Sequence, residues 1–201
     1  MCGPSAVPLA PSASGEPGGM GRLPVDVEIT QAGSEVDRDT LADVPVDRDT
    51  LVDALARVLS HLCLAGVGRP RANVGFEAKR APSITIWAYL QRLSDHFCCS
   101  NACLIASLVY MDRAAKLHSS HLVSPRSVHR MMLASMVLAA KFCDDSHYKN
   151  EHYATIGGIE LQELNALEGR FLRLINWRLH IMEEEYDLYK NHVLIAARGT
   201  S

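Results

Sequence analysis

The stretch SPRSVHRMMLASMVLAAKFCDD, residues 124–145, decides the fold. From Met131 to Ala140 it holds only Met, Leu, Ala, Val and one Ser, so no face of a helix built from it would be polar. An amphipathic helix lies on a surface; one that is apolar all round is buried all round. A membrane span needs about 20 apolar residues, and this run is cut off at once by Lys141. The stretch therefore predicts the central helix of a helical bundle. Ser124-Pro125 reads as its start, a cap followed by proline at the first helical position. Asp144, Asp145 and Ser146 mark its end.

Working outward, helical periodicity recurs on both sides. Ser83 can cap a helix carrying Ile84, Ile86, Trp87, Leu90 and Leu93 to about Phe97, with Trp87 as a core or rim aromatic. A second helix starts near Ser100 or Asn101 and carries Leu104, Ile105, Leu108, Val109 and Met111 to about Leu117. After the central helix, a short one is expected at 150–156, stopped by Gly157-Gly158. Another is expected over 161–177, with Leu164, Leu167, Phe171, Leu174 and Ile175 on one face. Glu183, Glu184 and Glu185 open a last helix, where carboxylates suit the dipole. Arg178–Met182 is the one candidate strand, and it is short.

Toward the N-terminus, Leu51, Leu55, Val58, Leu59 and Leu62 define a helix over Thr50–Leu64, capped by Asp49 or Thr50. Residues 65–82, with three Gly and two Pro, read as a linker. Residues 1–35 are rich in Gly, Pro, Ser and Ala, and their composition predicts a disordered tail. A short acidic repeat and linker occupies 36–49: VDRDTL stands at 36–41 and again at 46–51, the second copy leading into the helix. Two copies ten residues apart are a local duplication, since solenoids use longer periods and more copies. The expected architecture is all-α: one domain over 50–195 with a core at about 83–180, and a C-terminal tail at 196–201.

A net charge of −3 over 201 residues argues against capture of nucleic acid or an anionic membrane. Lys79-Arg80 and Arg126 with His129-Arg130 are small basic groups, short of the dense stripe such a surface carries. The N-terminal residues lack the pattern of a secretory signal, so the six cysteines are expected to be reduced thiols in an intracellular protein. Phosphate-binding, dinucleotide, zinc-protease and nucleophile-elbow motifs are missing from the sequence, and no His stands at relay spacing from a nucleophile. His96, Cys98, Cys99 and Cys103 form the best metal candidate. Zinc sites use two separated knuckles, so small buried cysteines explain this group better. No enzymatic activity, cofactor, metal or small-molecule substrate is expected.

Three segments together resemble a known family. LVYMDRAAKLH (108–118), SPRSVHRMMLASMVLAAKFCDD (124–145) and HYATIGGIELQELNALEGRFLRLINWRLHI (152–181) are similar to the cyclin box. More narrowly, they resemble the plant P-type, or U-type, cyclins, relatives of the yeast cyclin of phosphate signalling. The resemblance covers roughly residues 50–195. It implies a single cyclin box: five helices around a buried third helix, flanked by an N-terminal and a C-terminal helix. It further implies a regulatory subunit that forms a heterodimer with a cyclin-dependent serine/threonine protein kinase and activates it. The linked process is cell division or nutrient signalling, in the nucleus, the cytoplasm or both.

The family's two signature contacts fall on Lys141, in AAKF, and Glu168, in ALEGRF. Phe142, Tyr148 and Tyr153 are expected on the same kinase-facing surface. Read without the family, Lys141 is a cation suited to a helix C-terminus and Glu168 a helix-surface carboxylate. Asp112 in YMDR usually pairs with an arginine that should fall near Ser83, where this sequence has none. Ala114-Ala115 and Asn176-Trp177 are further departures. The competing reading is a cyclin-fold module that grips nucleic acid or transcription proteins; it needs a basic surface.

Overall fold

A computed structural model describes residues 47–65, 75–118 and 123–198. The tail 1–35, the first VDRDTL copy and residues 199–201 lie outside the described residues. Among the described residues seven helices follow in order: α1 (Arg48–Ala65), α2 (Ile86–His96), α3 (Asn101–His118), α4 (Val128–Cys143), α5 (Asn150–Gly157), α6 (Leu161–Leu174) and α7 (Glu183–Arg198).

Every side chain from Met131 to Ala140 is buried, as the unbroken apolar run requires. α4 packs on α3, α6 and α2, while α5 closes the bundle against α2 and α6. The flanking helices do not sit on opposite sides: α1 packs against α7, and both cover α3. Gly157 lets α5 approach the central helix, because a Cβ there would stand 2.5 Å from Leu133 Cδ2. The next residue, Gly158, ends α5 in the left-handed region at φ 70° and returns its N–H to Ala154 and Thr155.

Several expected boundaries move, each for a local reason. α1 is capped by Asp47, not Asp49 or Thr50: its carboxylate accepts from the Thr50 N–H at 3.1 Å and the Asp49 N–H at 3.3 Å. The Thr50 hydroxyl and these amides hold the Asp47 carboxyl below its usual range. α2 is capped by Thr85, whose hydroxyl accepts from Ala88 N, so Ser83 lies outside it. Ser124-Pro125 begins a turn rather than the helix itself. The Ser127 and Val128 amides both return to Ser124 O, and regular helix starts at Val128. Residues 75–82 are more than linker, since Phe76 is fully buried and meets Phe171 edge-on at 5.8 Å.

The candidate strand at Arg178–Met182 is no strand. α6 ends in Asn176 and Trp177, both left-handed, at φ 51° and 60°. Such backbone costs about 1 kcal/mol per non-glycine residue. The turn lays residues 178–180 along α3, where side chains rather than a neighbouring strand take their carbonyls. Tyr110 donates to Leu179 O at 2.9 Å, and Arg113 donates to Arg178 O and to His180 O. Arg113 also pairs with Glu185 of α7 at 2.6 Å. Asp112, with no arginine at Ser83, accepts from the Tyr189 hydroxyl of α7 and pairs with Lys116 at 2.7 Å. The YMDR segment thus clamps the last helix.

Arg48, in the second VDRDTL copy, does the same for α1. Its guanidinium donates to Ser94 Oγ and O, to Cys99 O and to Asn101 Oδ1, all within 3.0 Å. One planar fork joins α1 to the α2–α3 junction.

Candidate functional site

Lys141 lies in the last turn of α4 and Glu168 on α6, two helices that pack directly. Their side chains meet: Lys141 Nζ donates to Glu168 Oε1 at 2.6 Å. Neither is free on the surface; the lysine side chain is 28% exposed and the carboxylate 15%. The first residue of α5 completes the cluster. Asn150 Nδ2 donates to Glu168 Oε2 at 2.8 Å and to Asn165 Oδ1 at 2.7 Å. Asn150 Oδ1 is buried and has no hydrogen-bond partner among the described residues.

Both oxygens of Glu168 are therefore engaged, each with accepting capacity left, and Lys141 has donors to spare. A pre-paired cation and carboxylate, held by an amide, present donors and acceptors at fixed positions. Charge-assisted bonds of this kind are short and directional.

The three expected aromatic residues divide. Phe142 is 50% exposed and Tyr148 is 45% exposed, so both offer apolar surface. Tyr153 does not: it is fully buried, and its ring packs 4.6 Å from Phe97. Its hydroxyl accepts from the Tyr148 N–H at 3.0 Å, which fixes the chain just before α5. Burial pushes the Tyr153 hydroxyl above its ordinary pKa. The expected surface role of Tyr153 is replaced by a supporting one, because its period along α5 points it into the core. Asn150 and Arg48 carried no signal above any other polar residue in the sequence. Only the fold brings them to their partners.

The four residues of the metal candidate are not brought together as a ligand set among the described residues. Cys99 and Cys103 are buried, Cys98 is exposed and left-handed, and His96 uses its carbonyl to hold His152. No helix among the described residues is long and apolar enough to cross a membrane.

Five helices, α2–α6, with α4 buried at their centre and the α4–α6 ion pair at the edge, define the helical bundle known as the cyclin box. Residues 28–179 match the family model described as Cyclin, and the chain belongs to the cyclin family. It is 39% identical to Cyclin-U1-1 of Arabidopsis thaliana over 118 residues, 59% of this chain and 56% of that one. Cyclin-U4-1 of Arabidopsis thaliana is 35% identical over 118 residues, 59% and 58% of the two chains. Cyclin-P1-1 of Oryza sativa subsp. japonica is 31% identical over 163 residues, 73% and 62% of the two. The chain spans somewhat more than half the length of the curated relatives it matches.

Proposed function

We propose that this cyclin is the regulatory subunit of a cyclin-dependent serine/threonine kinase, with no catalytic step of its own. The observation that carries the reading is the Lys141–Glu168 pair beside exposed Phe142 and Tyr148. A kinase must hold a mobile helix inward so that its glutamate pairs with the ATP-contacting lysine. A rigid bundle that docks on that helix biases the kinase between two states. Lys141 donates to carbonyls at the end of a kinase helix, and Glu168 accepts backbone N–H groups. Phe142 and Tyr148 supply apolar area around the charges. Asn150 holds Glu168 in position. The working compartment under this reading is the nucleus, the cytoplasm or both, and the process is division or nutrient signalling.

The test is recovery of kinase from a panel of cyclin-dependent kinases by the wild type and by the Lys141→Ala/Glu168→Ala double variant. Phosphorylation of a histone substrate is read on the eluates. The wild type should recover an active kinase. The double variant, with unchanged helical circular dichroism, should recover at least tenfold less, equivalent to about 1.4 kcal/mol. Equal recovery by both would remove these residues from docking, and no recovery by either would remove the kinase reading.

A further inference from the structure

Among the described residues only Ser83 and Ser146 carry hydroxyls that are exposed and make no hydrogen bond. The remaining serines and threonines are buried or bonded locally, as Thr85 is to the Ala88 N–H at 3.1 Å. The two free hydroxyls stand in opposite fields. Ser146 directly follows Asp144 and Asp145, so a further negative group there would be repelled. Ser83 follows Lys79 by four residues and Arg80 by three. Both cations are exposed, and neither forms an ion pair among the described residues. Ser83 also lies two residues before Thr85, the N-cap of α2, and so at the positive end of that helix.

The chain around Ser83 is held in a form that an enzyme can grip. Residues 79–83 are five consecutive exposed residues outside any helix. Both ends of this strip are pinned to the start of α4. The Ala78 N–H donates to Arg126 O at 2.8 Å, and Arg126 Nε donates back to Ala78 O at 2.8 Å. At the other end, His129 Nε2 bonds to Ile84 O at 3.0 Å, and the imidazole is only 8% exposed. Pro82 disfavours helical backbone at Ala81, because its ring crowds the residue before it. The strip is therefore anchored, solvent-facing and closed to helix formation at its middle.

We infer that Ser83 is a phosphorylation site for a basophilic serine/threonine kinase, one whose substrate groove carries carboxylates that read Lys79 and Arg80. Charge patterns of this kind set kinase specificity. The co-substrate is a nucleoside triphosphate with its magnesium ion. Ser83 Oγ attacks the γ-phosphorus, and the bond from that phosphorus to the β–γ bridging oxygen breaks. The nucleoside diphosphate leaves, and the hydroxyl proton passes through the kinase's base to solvent. The new group carries about −1.5 to −2 charge at neutral pH. It balances Lys79 and Arg80 and lies at the favourable end of α2. His129 and Lys141 stand twelve residues apart on α4, about 18 Å along the helix. The site is thus clear of the Lys141–Glu168 pair and does not rest on the docking reading given above.

The test incubates the full chain with magnesium ATP and the catalytic subunit of cyclic-AMP-dependent protein kinase, the basophilic probe, and maps phosphopeptides by mass spectrometry. A single phosphate on Ser83 is expected, and Ser83→Ala should remove it. The Lys79→Ala/Arg80→Ala double variant, with unchanged circular dichroism, should lower kcat/KM for Ser83 at least about tenfold. The phosphorylated chain should melt about 1–3 °C higher than the unmodified one, because the added charge sits beside cations and a helix N-terminus. Chain isolated with phosphatase inhibitors from the cells that make it should carry the same phosphopeptide. The proposal is overturned if the phosphate goes to Thr85, Ser146 or any other residue instead, or if the double variant is modified as fast as the wild type. A lower melting temperature after phosphorylation, or no Ser83 phosphopeptide in enriched material from those cells, would overturn it as well.

Discussion

Removing Lys141 and Glu168 singly and together tests the geometry of the site before any kinase is added. Exposed ion pairs contribute about 0.2–1 kcal/mol, whereas breaking a buried pair costs about 3–5 kcal/mol. This pair lies between those limits, with side chains 28% and 15% exposed at an N–O distance of 2.6 Å. Lys141→Ala leaves a mostly covered carboxylate with Asn150 as its remaining donor, and should destabilise the fold by about 2 kcal/mol. Glu168→Ala leaves an ammonium on a flexible stem that can swing to water, and should cost about 1 kcal/mol. With both gone no charge is stranded, so the double variant should cost about 1.5 kcal/mol rather than the sum, a coupling of about 1.5 kcal/mol. Urea unfolding followed by circular dichroism measures all four proteins. A domain of this size shifts by roughly 2–4 °C per kcal/mol, so thermal melts should rank the variants the same way. Additivity within about 0.5 kcal/mol would refute a direct pair. A larger loss from Glu168→Ala than from Lys141→Ala would refute the burial argument.

Two further outcomes follow from the packing. Gly157→Ala gains helix propensity but puts a Cβ 2.5 Å from Leu133 Cδ2 and 2.9 Å from Cδ1, so it should destabilise by about 1 kcal/mol net in urea unfolding. In a Leu133→Ala background the same change should turn neutral or stabilising, and an unchanged penalty there would show that the clash is not the cause. His129 is nearly buried; its Nε2–H donates to Ile84 O at 3.0 Å, and burial lowers its pKa from the ordinary 6.5. A depressed folded value means that the unfolded chain takes up the proton first. Stability should be complete above pH 6.5 and fall as pH drops through the folded value. His129→Gln should flatten that slope, and an unchanged slope would assign it to another group.

The unbroken apolar run from Met131 to Ala140 determined the central helix, because a helix with no polar face can only be enclosed. Apolar periodicity likewise determined α1, α2, α3 and α6 to within a few residues, since three- and four-residue steps are a local property, whereas α5 was read from its Gly157-Gly158 stop and α7 from its acidic first turn. Lys141 and Glu168 were legible through the family motif and not through their own chemistry. The tertiary structure alone decided that they bond to each other, because residues 27 positions apart meet only once α4 packs on α6. It also turned Tyr153 inward and gave Asp112 a tyrosine and a lysine where an arginine was expected. The false strand at 178–182 shows the same limit: local sequence reports extended backbone, and the partner that takes its carbonyls comes from a distant helix. The sequence displays the apolar stripe of α1 and the acidic start of α7, but which surface each of these flanking helices covers is a long-range choice. Arg48, Asp112 and Arg113 fix that choice through hydrogen bonds spanning 46 to 77 residues.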